Sequence, residues 1–413
     1  MKLLAVGDMH LGRLPVALPE ALAERARDLG PDTAWSRCVD HALEHEVEAV
    51  VLAGDLVDRE RDFFAGFNAL KSGVERLTAA GIRVVAVAGN HDTEVLPRLA
   101  DAIDGLTLLG RGGQWERLGL DEVDVLGWSF PSRHVTRSPL DTLPELAGDR
   151  PVIGLLHGDL DRADSRYAPL DSGVLARSGA AAWLLGHVHQ PHPLDGEIPI
   201  GYLGSVSALR ASDLGRRGPW RITLCNGRIR AEQQPLAPLA FEALRLDWTP
   251  DDEPGRLLPR IVEAAQRRVA ARIEAGALPD ALGLRIEITG ETDHGEALRS
   301  QIEQVGDEAR FEDGGCQIFV QKVVVDTRPP LDLDTLARRA DPVGLIARDL
   351  QALTGADLNA RQALIDAARP ALADAVAALE FQPVAARLDD DAIGDQLARA
   401  ARRALSDLMG QTR

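Results

Sequence analysis

Leu3-Leu4-Ala5-Val6-Gly7-Asp8-Met9-His10-Leu11-Gly12 is the stretch on which the reading of the fold turns. Four apolar residues are followed by a glycine, then by an aspartate and a histidine one residue apart. That order describes a buried strand that stops abruptly at a turn and leaves polar side chains at the end of a sheet. The pattern recurs four times. Residues 49–53 run into Gly54-Asp55-Leu56-Val57-Asp58, residues 84–88 into Gly89-Asn90-His91-Asp92, residues 152–156 into His157-Gly158-Asp159, and residues 182–185 into Gly186-His187-Val188-His189. Another apolar run, 123–127, reads as a sixth strand, and amphipathic segments at 35–46 and 63–80 read as helices between strands. The alternation predicts an α/β layered fold with helices covering the sheets. In such folds the carboxyl edge of the sheet is where side chains from successive strands meet a ligand.

Taken singly, each motif is an ordinary polar turn. Five in order, each after a buried strand and together holding half of the ten histidines, are a metal-binding pattern. Aspartate, asparagine and histidine supply mixed oxygen and imidazole donors, a set that suits Mn, Fe or Zn.

The five motifs in this order resemble those of the calcineurin-like metallophosphoesterases, and the resemblance covers about the first 205 residues. It implies a four-layer fold, two mixed sheets flanked by helices, and two divalent metal ions. At matching positions it implies that Asp8, His10 and His189 hold one ion and Asn90, His157 and His187 the other, with Asp55 bridging them. His91 would be the catalytic residue, facing the substrate to protonate the leaving oxygen or stabilise the charged transition state. Two ions about 3.5–4 Å apart would clamp a scissile phosphate and lower the pKa of an attacking water. Gly54–Arg59 is superficially similar to the protein phosphatases, but Glu60 and Asp92 stand where those enzymes have Gly and Glu. Asp8–Gly12, Asn90–Asp92 and Tyr202-Leu203-Gly204-Ser205 with Arg210 look like the SbcD-type DNA repair nucleases. That branch implies Mn2+ as the metal, DNA as substrate, a homodimer, and an SMC-like ATPase partner resembling SbcC.

The remaining sequence fits this layout. Residues 200–229 read as antiparallel strands closing one sheet. Pro235 and Pro238 mark a boundary, so residues 1–238 are expected to form the nuclease domain. Residues 239–328 read strand, helix, strand, helix, strand, a small α+β capping domain. After Pro329-Pro330, residues 331–413 are helical and rich in Ala and Leu, with caps and breaks near Asp341-Pro342, Gly355 and Pro370; this segment is expected to dock on a partner. At 413 residues the chain exceeds one ordinary core. No apolar run is long enough to span a bilayer. The three cysteines match no zinc spacing and read as small core residues in a cytoplasmic protein. The net charge of −18 argues against a free-standing nucleic-acid binder, so bound cations or a basic partner must offset it.

Several residues carry a second reading. Arg13, Arg59 and Arg61 follow ligand motifs and are candidate DNA-phosphate contacts or solvated loop charges. Arg260, Arg267, Arg268 and Arg272 cluster on the first capping helix, where they line a DNA groove or, as neighbouring Glu263 and Glu274 favour, form a solvated face; His192, His134, His41 and His45 read as structural. Phe63, Phe64 and Phe67 crowd one helical turn and a half, a candidate dimer interface or core packing. Two rival functions stand beside the nuclease: a phosphoesterase acting on nucleotides, cyclic nucleotides or phosphoproteins, and a non-catalytic metal-binding scaffold.

Overall fold

The expected first strand is present, and its neighbours end level with it. In a computed structural model that describes all residues except 59–62, 147, 226, 306–309, 377–388 and 411–413, strands β1 (Lys2–Val6), β2 (Ala49–Leu52), β3 (Arg83–Ala86) and β4 (Leu106–Leu108) lie parallel and in order. Helices α1 (Pro31–Glu44), α2 (Phe63–Ala79) and α3 (Val95–Ala102) connect or follow them. Val6 pairs with Leu52 and Leu52 with Ala86, so the loops after β1, β2 and β3 leave from one edge. A second sheet holds β5 (Trp115–Gly119), β6 (Asp124–Trp128), β7 (Val152–His157), β8 (Ala182–Gly186) and β9 (Ile200–Tyr202), in that order, with α4 (Ser172–Arg177) between β7 and β8. The chain then returns to the first sheet as the hairpin β10 (Trp220–Cys225) and β11 (Arg228–Gln233), giving the order β11-β10-β1-β2-β3-β4. Both sheets are mixed: β10 is antiparallel to β1, and β5 is antiparallel to β6.

Side-chain alternation along the strands builds the layers. Leu4, Val6, Val50, Leu52, Val84 and Ala86 face outward onto Trp35, Val39 and Ala42 of α1, Leu70, Val74 and Leu77 of α2, and Leu96 and Leu99 of α3. Their neighbours Leu3, Ala5, Val51 and Val85 face inward and pack on Val125, Ile153, Leu155 and Leu184 of the second sheet. That sheet's other face, with Leu126, Trp128, Leu156, Trp183 and Leu185, is covered by Leu175 of α4 and the loops around it. The result is the expected helix–sheet–sheet–helix stack.

Further along lie β12 (Leu239–Trp248), α5 (Leu257–Glu274), β13 (Ala281–Glu291), α6 (Gly295–Val305), β14 (Arg310–Asp313) and β15 (Cys316–Arg328), whose strands form a third sheet in the order β12-β13-β15-β14. Helices α7 (Leu333–Ala337), α8 (Pro342–Thr354), α9 (Leu358–Val376) and α10 (Asp390–Gly410) complete the described chain. Two compact units result, residues 1–245 with 258–287 and 302–324, and residues 246–257 with 288–301 and 325–413. In the first, Phe241 and Phe319 pack edge to face with Leu22, Leu29 and Ala208, and Arg37 forks onto both oxygens of Asp280 at 2.7 Å. In the second, Leu336, Ala347, Leu350, Ala398 and Leu405 form the core of the helical tail. Asp341 caps α8 by accepting from the Gly344 amide at 3.0 Å, and Pro342 occupies its first turn.

Four expectations need correction. Only β10 and β11 of the 200–229 region pair antiparallel; β9 runs parallel to β8 in the other sheet. Cys225, unlike Cys38 and Cys316, is exposed, because its position in β10 lies on the uncovered face with Arg221 and Thr223. Pro370 does not end a helix: α9 runs through it, with Leu364 and Ile365 held in buried packing a turn before and Arg369 ion-paired to Asp390. Arg272 is not on a solvated face. It is 9% exposed, donates to Glu242 at 2.6 Å and to the Ala277 carbonyl, just past the end of α5, at 3.0 Å. Among the described residues, no helix is long and apolar enough to cross a membrane.

Candidate metal centre and active site

Asp8 and His10 follow β1, Asp55 and Asp58 follow β2, Asn90, His91 and Asp92 follow β3, His157 ends β7, and His187 and His189 follow β8. The level strand ends bring them together. Three of these residues sit at positive φ although none is glycine: His10 at 51°, Asp55 at 53° and His187 at 104°. Each such conformation costs about 1–3 kcal/mol and persists only where the surroundings hold it. Here they do. The His10 amide donates to the Asp55 carbonyl at 2.9 Å, and the His187 amide donates to Asp8 Oδ1 at 2.9 Å. The backbone is bent so that each side chain points at a shared centre. Gly89 leaves space for that centre: a Cβ there would lie 2.2 Å from Asp55 Oδ1 and 2.7 Å from His157 Cε1.

Two triplets emerge, Asp8 with His10 and His189, and Asp8 with Asp55 and His157. In each, the donor atoms lie within 4.8 Å of one another. His157 Nδ1 donates to the Ala53 carbonyl at 2.9 Å, which leaves Nε2 facing Asn90 Oδ1 at 3.0 Å and Asp55 Oδ2 at 3.4 Å. His187 Nδ1 is also 3.0 Å from Asn90 Oδ1. The Nε2 atoms of His10 and His189 face each other at 3.0 Å. Asp8 Oδ2 is buried without a hydrogen-bond partner. Oxygens and ring nitrogens thus converge on one centre, a donor set that, once the ring protons leave, fits divalent cations of the borderline class.

The electrostatics follow from burial and crowding. Burial pushes the Asp8 carboxyl up to about 6 despite the opposing pull of His157. Burial would also raise Asp55, but the charge and hydrogen bond of His157 reverse this and hold it well below the usual carboxylate range. Burial lowers the His157 imidazole, yet Asp55 and Asp8 more than offset it and raise the ring to about 9. His187 and His189 are pushed down to about 4, by burial first and then by His157 and His10 respectively.

His91 stands apart from both triplets. Its Nδ1 lies 3.1 Å from Asp58 Oδ1, its side chain is 32% exposed, and its amide donates to Asp55 Oδ1 at 2.9 Å. It opens onto a cavity of about 460 Å³ lined by Asp58, Asn90, Thr93, Glu94 and Arg133. Asp58 also lies 3.2 Å from His10 Nδ1 and 3.4 Å from Arg13 Nη1. The hydrogen bond from His10, set against partial burial, leads the influences that lower the Asp58 carboxyl to about 2.

Sequence reasoning missed several partners here. Asp58, three residues after Asp55, orients two imidazoles. Asp92 is fully buried and accepts from the Leu56 and Gly89 amides at 2.7 and 2.8 Å, tying the second motif to the third. Asp159 lies 3.4 Å from His187 Nε2, and the Tyr167 ring lies 5.1 Å from the His187 ring. Arg217, 2% exposed, donates to the His189 carbonyl, to Ser205 Oγ at 3.2 Å and to Gln190 Oε1 at 3.0 Å. The aspartates sit inside or beside the motifs and were legible as neighbours; Arg217 has no sequence signal.

Other candidates divide. Arg13 is part of the site through Asp58, whereas Arg59, Arg61 and the Phe63 side chain lie outside the described residues. Phe64 is 79% exposed, and Phe67 is half-buried on the core.

The family model for calcineurin-like phosphoesterases matches residues 1–191. The uncharacterized metallophosphoesterase YhaO of Bacillus subtilis is 27% identical over 243 residues, covering 56% of this chain and 59% of YhaO. The DNA double-strand break repair protein Mre11 of Aeropyrum pernix is 31% identical over 236 residues, covering 52% of this chain and 56% of that protein. Mre11 of Haloferax volcanii is 30% identical over 284 residues, covering 63% and 58%. The chain thus spans under three fifths of the length of these relatives.

Proposed function

Residues 1–191 form a calcineurin-like phosphoesterase domain, and from that premise we propose that the chain is a two-metal DNA nuclease subunit. The observation that carries this reading is the convergence of Asp8, His10, Asp55, Asn90, His157, His187 and His189 from five loops, with His91 outside both triplets. Asp8, His10 and His189 would hold one cation and Asn90, His157 and His187 the other, with Asp55 as the ligand shared by both. When bound there, a pair of divalent cations would supply charge neutralisation of a scissile phosphate and a lowered pKa for an attacking water.

The chain's own contribution is positioning and one proton. Asp58 accepts from His91 Nδ1 and fixes the ring, leaving Nε2 as the nitrogen for proton transfer to the leaving oxygen, a role that requires the doubly protonated ring. Asp58 aligns His10 in the same way, and Arg217 holds the His189 backbone. Arg13 and Arg133 place guanidinium groups beside the cavity, suited to the non-bridging oxygens of a phosphodiester.

DNA as the substrate is supported by the two Mre11 relatives, named as DNA double-strand break repair proteins. In this reading the metal is Mn2+ and the 239–328 segment caps access to the site. The helical tail, which exposes Leu345 and Leu358, docks on an SMC-like ATPase, and two copies pair through Phe64 of α2. One observation favours a second reading, a phosphoesterase for small nucleotides: the net charge of −18 disfavours long polyanions. Incubation with linear duplex DNA and Mn2+, beside Asp55→Ala and His91→Ala controls and a small diester such as bis-p-nitrophenyl phosphate, separates the two. The nuclease reading expects DNA cleavage that both variants lose. Turnover of the small diester with DNA left intact, with or without the ATPase, contradicts it.

A further inference from the structure

The opposite end of the first sheet carries a feature that the metal centre does not use. Asp8 leaves the carboxyl end of β1, whereas Lys2 starts that strand, and beside Lys2 is a recess of about 580 Å³. It is lined by Lys2, His45, Arg221, Thr223, Arg228, Arg230 and one carboxylate, Glu232. Strand register explains the clustering. Lys2 pairs with Thr223 and Thr223 with Arg230; Arg221 pairs with Glu232, and Cys225 with Arg228. Directly paired residues share a face and alternate positions repeat it, so four cationic side chains from three adjacent strands stand on one surface. Helix α1 ends at Glu44, leaving that surface uncovered beyond His45.

The cations are only partly matched. Arg221 is ion-paired to Glu232, and Lys2 Nζ donates to the His45 carbonyl at 3.4 Å. Nearby Glu48 is engaged by the Lys2 amide at 3.1 Å and by the terminal amino group. Arg228 and Arg230 are exposed and have no side-chain partner among the described residues. His45 is itself fixed, its ring stacked on His41 with centroids 3.9 Å apart. On a chain of net charge −18, a recess holding four cations and one carboxylate is a local inversion of sign. Like charges at strand spacing repel one another, and a bound polyanion relieves that repulsion.

We propose that this recess is a second, non-catalytic anion site for a small phosphate-rich ligand, of the class of pyrophosphate or a nucleotide's polyphosphate tail. Guanidinium forks match phosphate oxygens two at a time, and the Thr223 hydroxyl adds a neutral donor. The volume is that of a small-molecule pocket, and the charge is gathered in one recess where a duplex calls for a long stripe of contacts.

Calorimetric titration of the full chain with pyrophosphate and with ATP, in chelator so that the metal centre takes no part, tests this. Saturable binding is expected at physiological ionic strength, retained in Asp55→Ala and weakened on the order of ten-fold or more in the Arg228→Ala/Arg230→Ala double variant. Both arginines are exposed, so thermal melting of the double variant should match wild type. ATP binding without pyrophosphate binding overturns the assignment to the phosphate groups. So does unchanged affinity in the double variant. Binding of a short single-stranded oligonucleotide through these arginines, with pyrophosphate failing to bind, overturns the small-ligand assignment in favour of a nucleic-acid contact.

Discussion

Metal loading should be coupled to proton release at His157, and the size of the effect follows from the site. Metal-free, this imidazole is buried between Asp55 and Asp8 and is raised to about 9. Its Nδ1 proton is committed to Ala53, so the extra proton sits on Nε2, the atom aimed at Asn90 and Asp55. A cation can use that nitrogen only after the proton leaves. Asp8, at about 6, is already ionised above neutrality, and His187 and His189, at about 4, are already neutral. Between pH 7 and pH 9 the toll is therefore at least one proton, at His157, about 1.4 kcal/mol or ten-fold in affinity per pH unit, and His10, which burial lowers but Asp58, Asp55 and Asp8 raise overall, adds to it. Titrating chelator-treated protein with Mn2+ at pH 7 and pH 8, in buffers of different ionisation enthalpy, gives both the affinity and the proton count. The expected result is binding at least about ten-fold tighter at the higher pH, with at least about one proton released. Equal affinity at the two pH values, or proton uptake, refutes the reasoning.

Other outcomes follow from the same geometry. Since His157 is raised on folding, it stabilises the metal-free protein fully below pH 6.5, and that contribution is lost as pH rises through about 9; chelator-treated protein should lose up to about 3 kcal/mol over this window in urea melts, and metal-loaded protein should not. Asp58→Asn should lower kcat on a phosphodiester by about 10–100-fold, because His91 and His10 lose a shared carboxylate; unchanged kcat would remove Asp58 from the mechanism. Asp92→Ala leaves the Leu56 and Gly89 amides buried without an acceptor and should cost about 2–4 kcal/mol of stability by denaturant unfolding. Phe64→Glu should convert a dimer to a 44.4 kDa species in light scattering, and a wild-type protein already of that mass ends the dimer reading.

The central sheets were legible because parallel strands buried on both faces read as unbroken apolar runs, such as Ala49-Val50-Val51-Leu52. The loops after them were legible because each begins with a turn and ends in metal-ligand chemistry. Short or half-exposed strands carried no comparable signal. Leu106-Thr107-Leu108 is three residues long, and Trp115–Gly119 lies at a sheet edge with two charged residues among five. The direction of β9 depends on a crossover, which no local pattern encodes. Cys225 was readable in principle, since alternation along β10 puts it with Arg221 and Thr223 opposite buried Trp220 and Ile222. The candidate ligands were nameable one by one, but the pairing of Asp58 with two imidazoles and the burial of Arg217 depend on loops far apart in sequence.

The proposed activity depends on two cations bound within a single cluster of side chains. Crystals of the Mn2+-soaked protein, with anomalous data collected at the manganese edge, test it directly. Two anomalous peaks per chain are expected, both ringed by Asp8, His10, Asp55, Asn90, His157, His187 and His189, with His91 coordinated to neither. One peak, or peaks bound elsewhere on the chain, would contradict it.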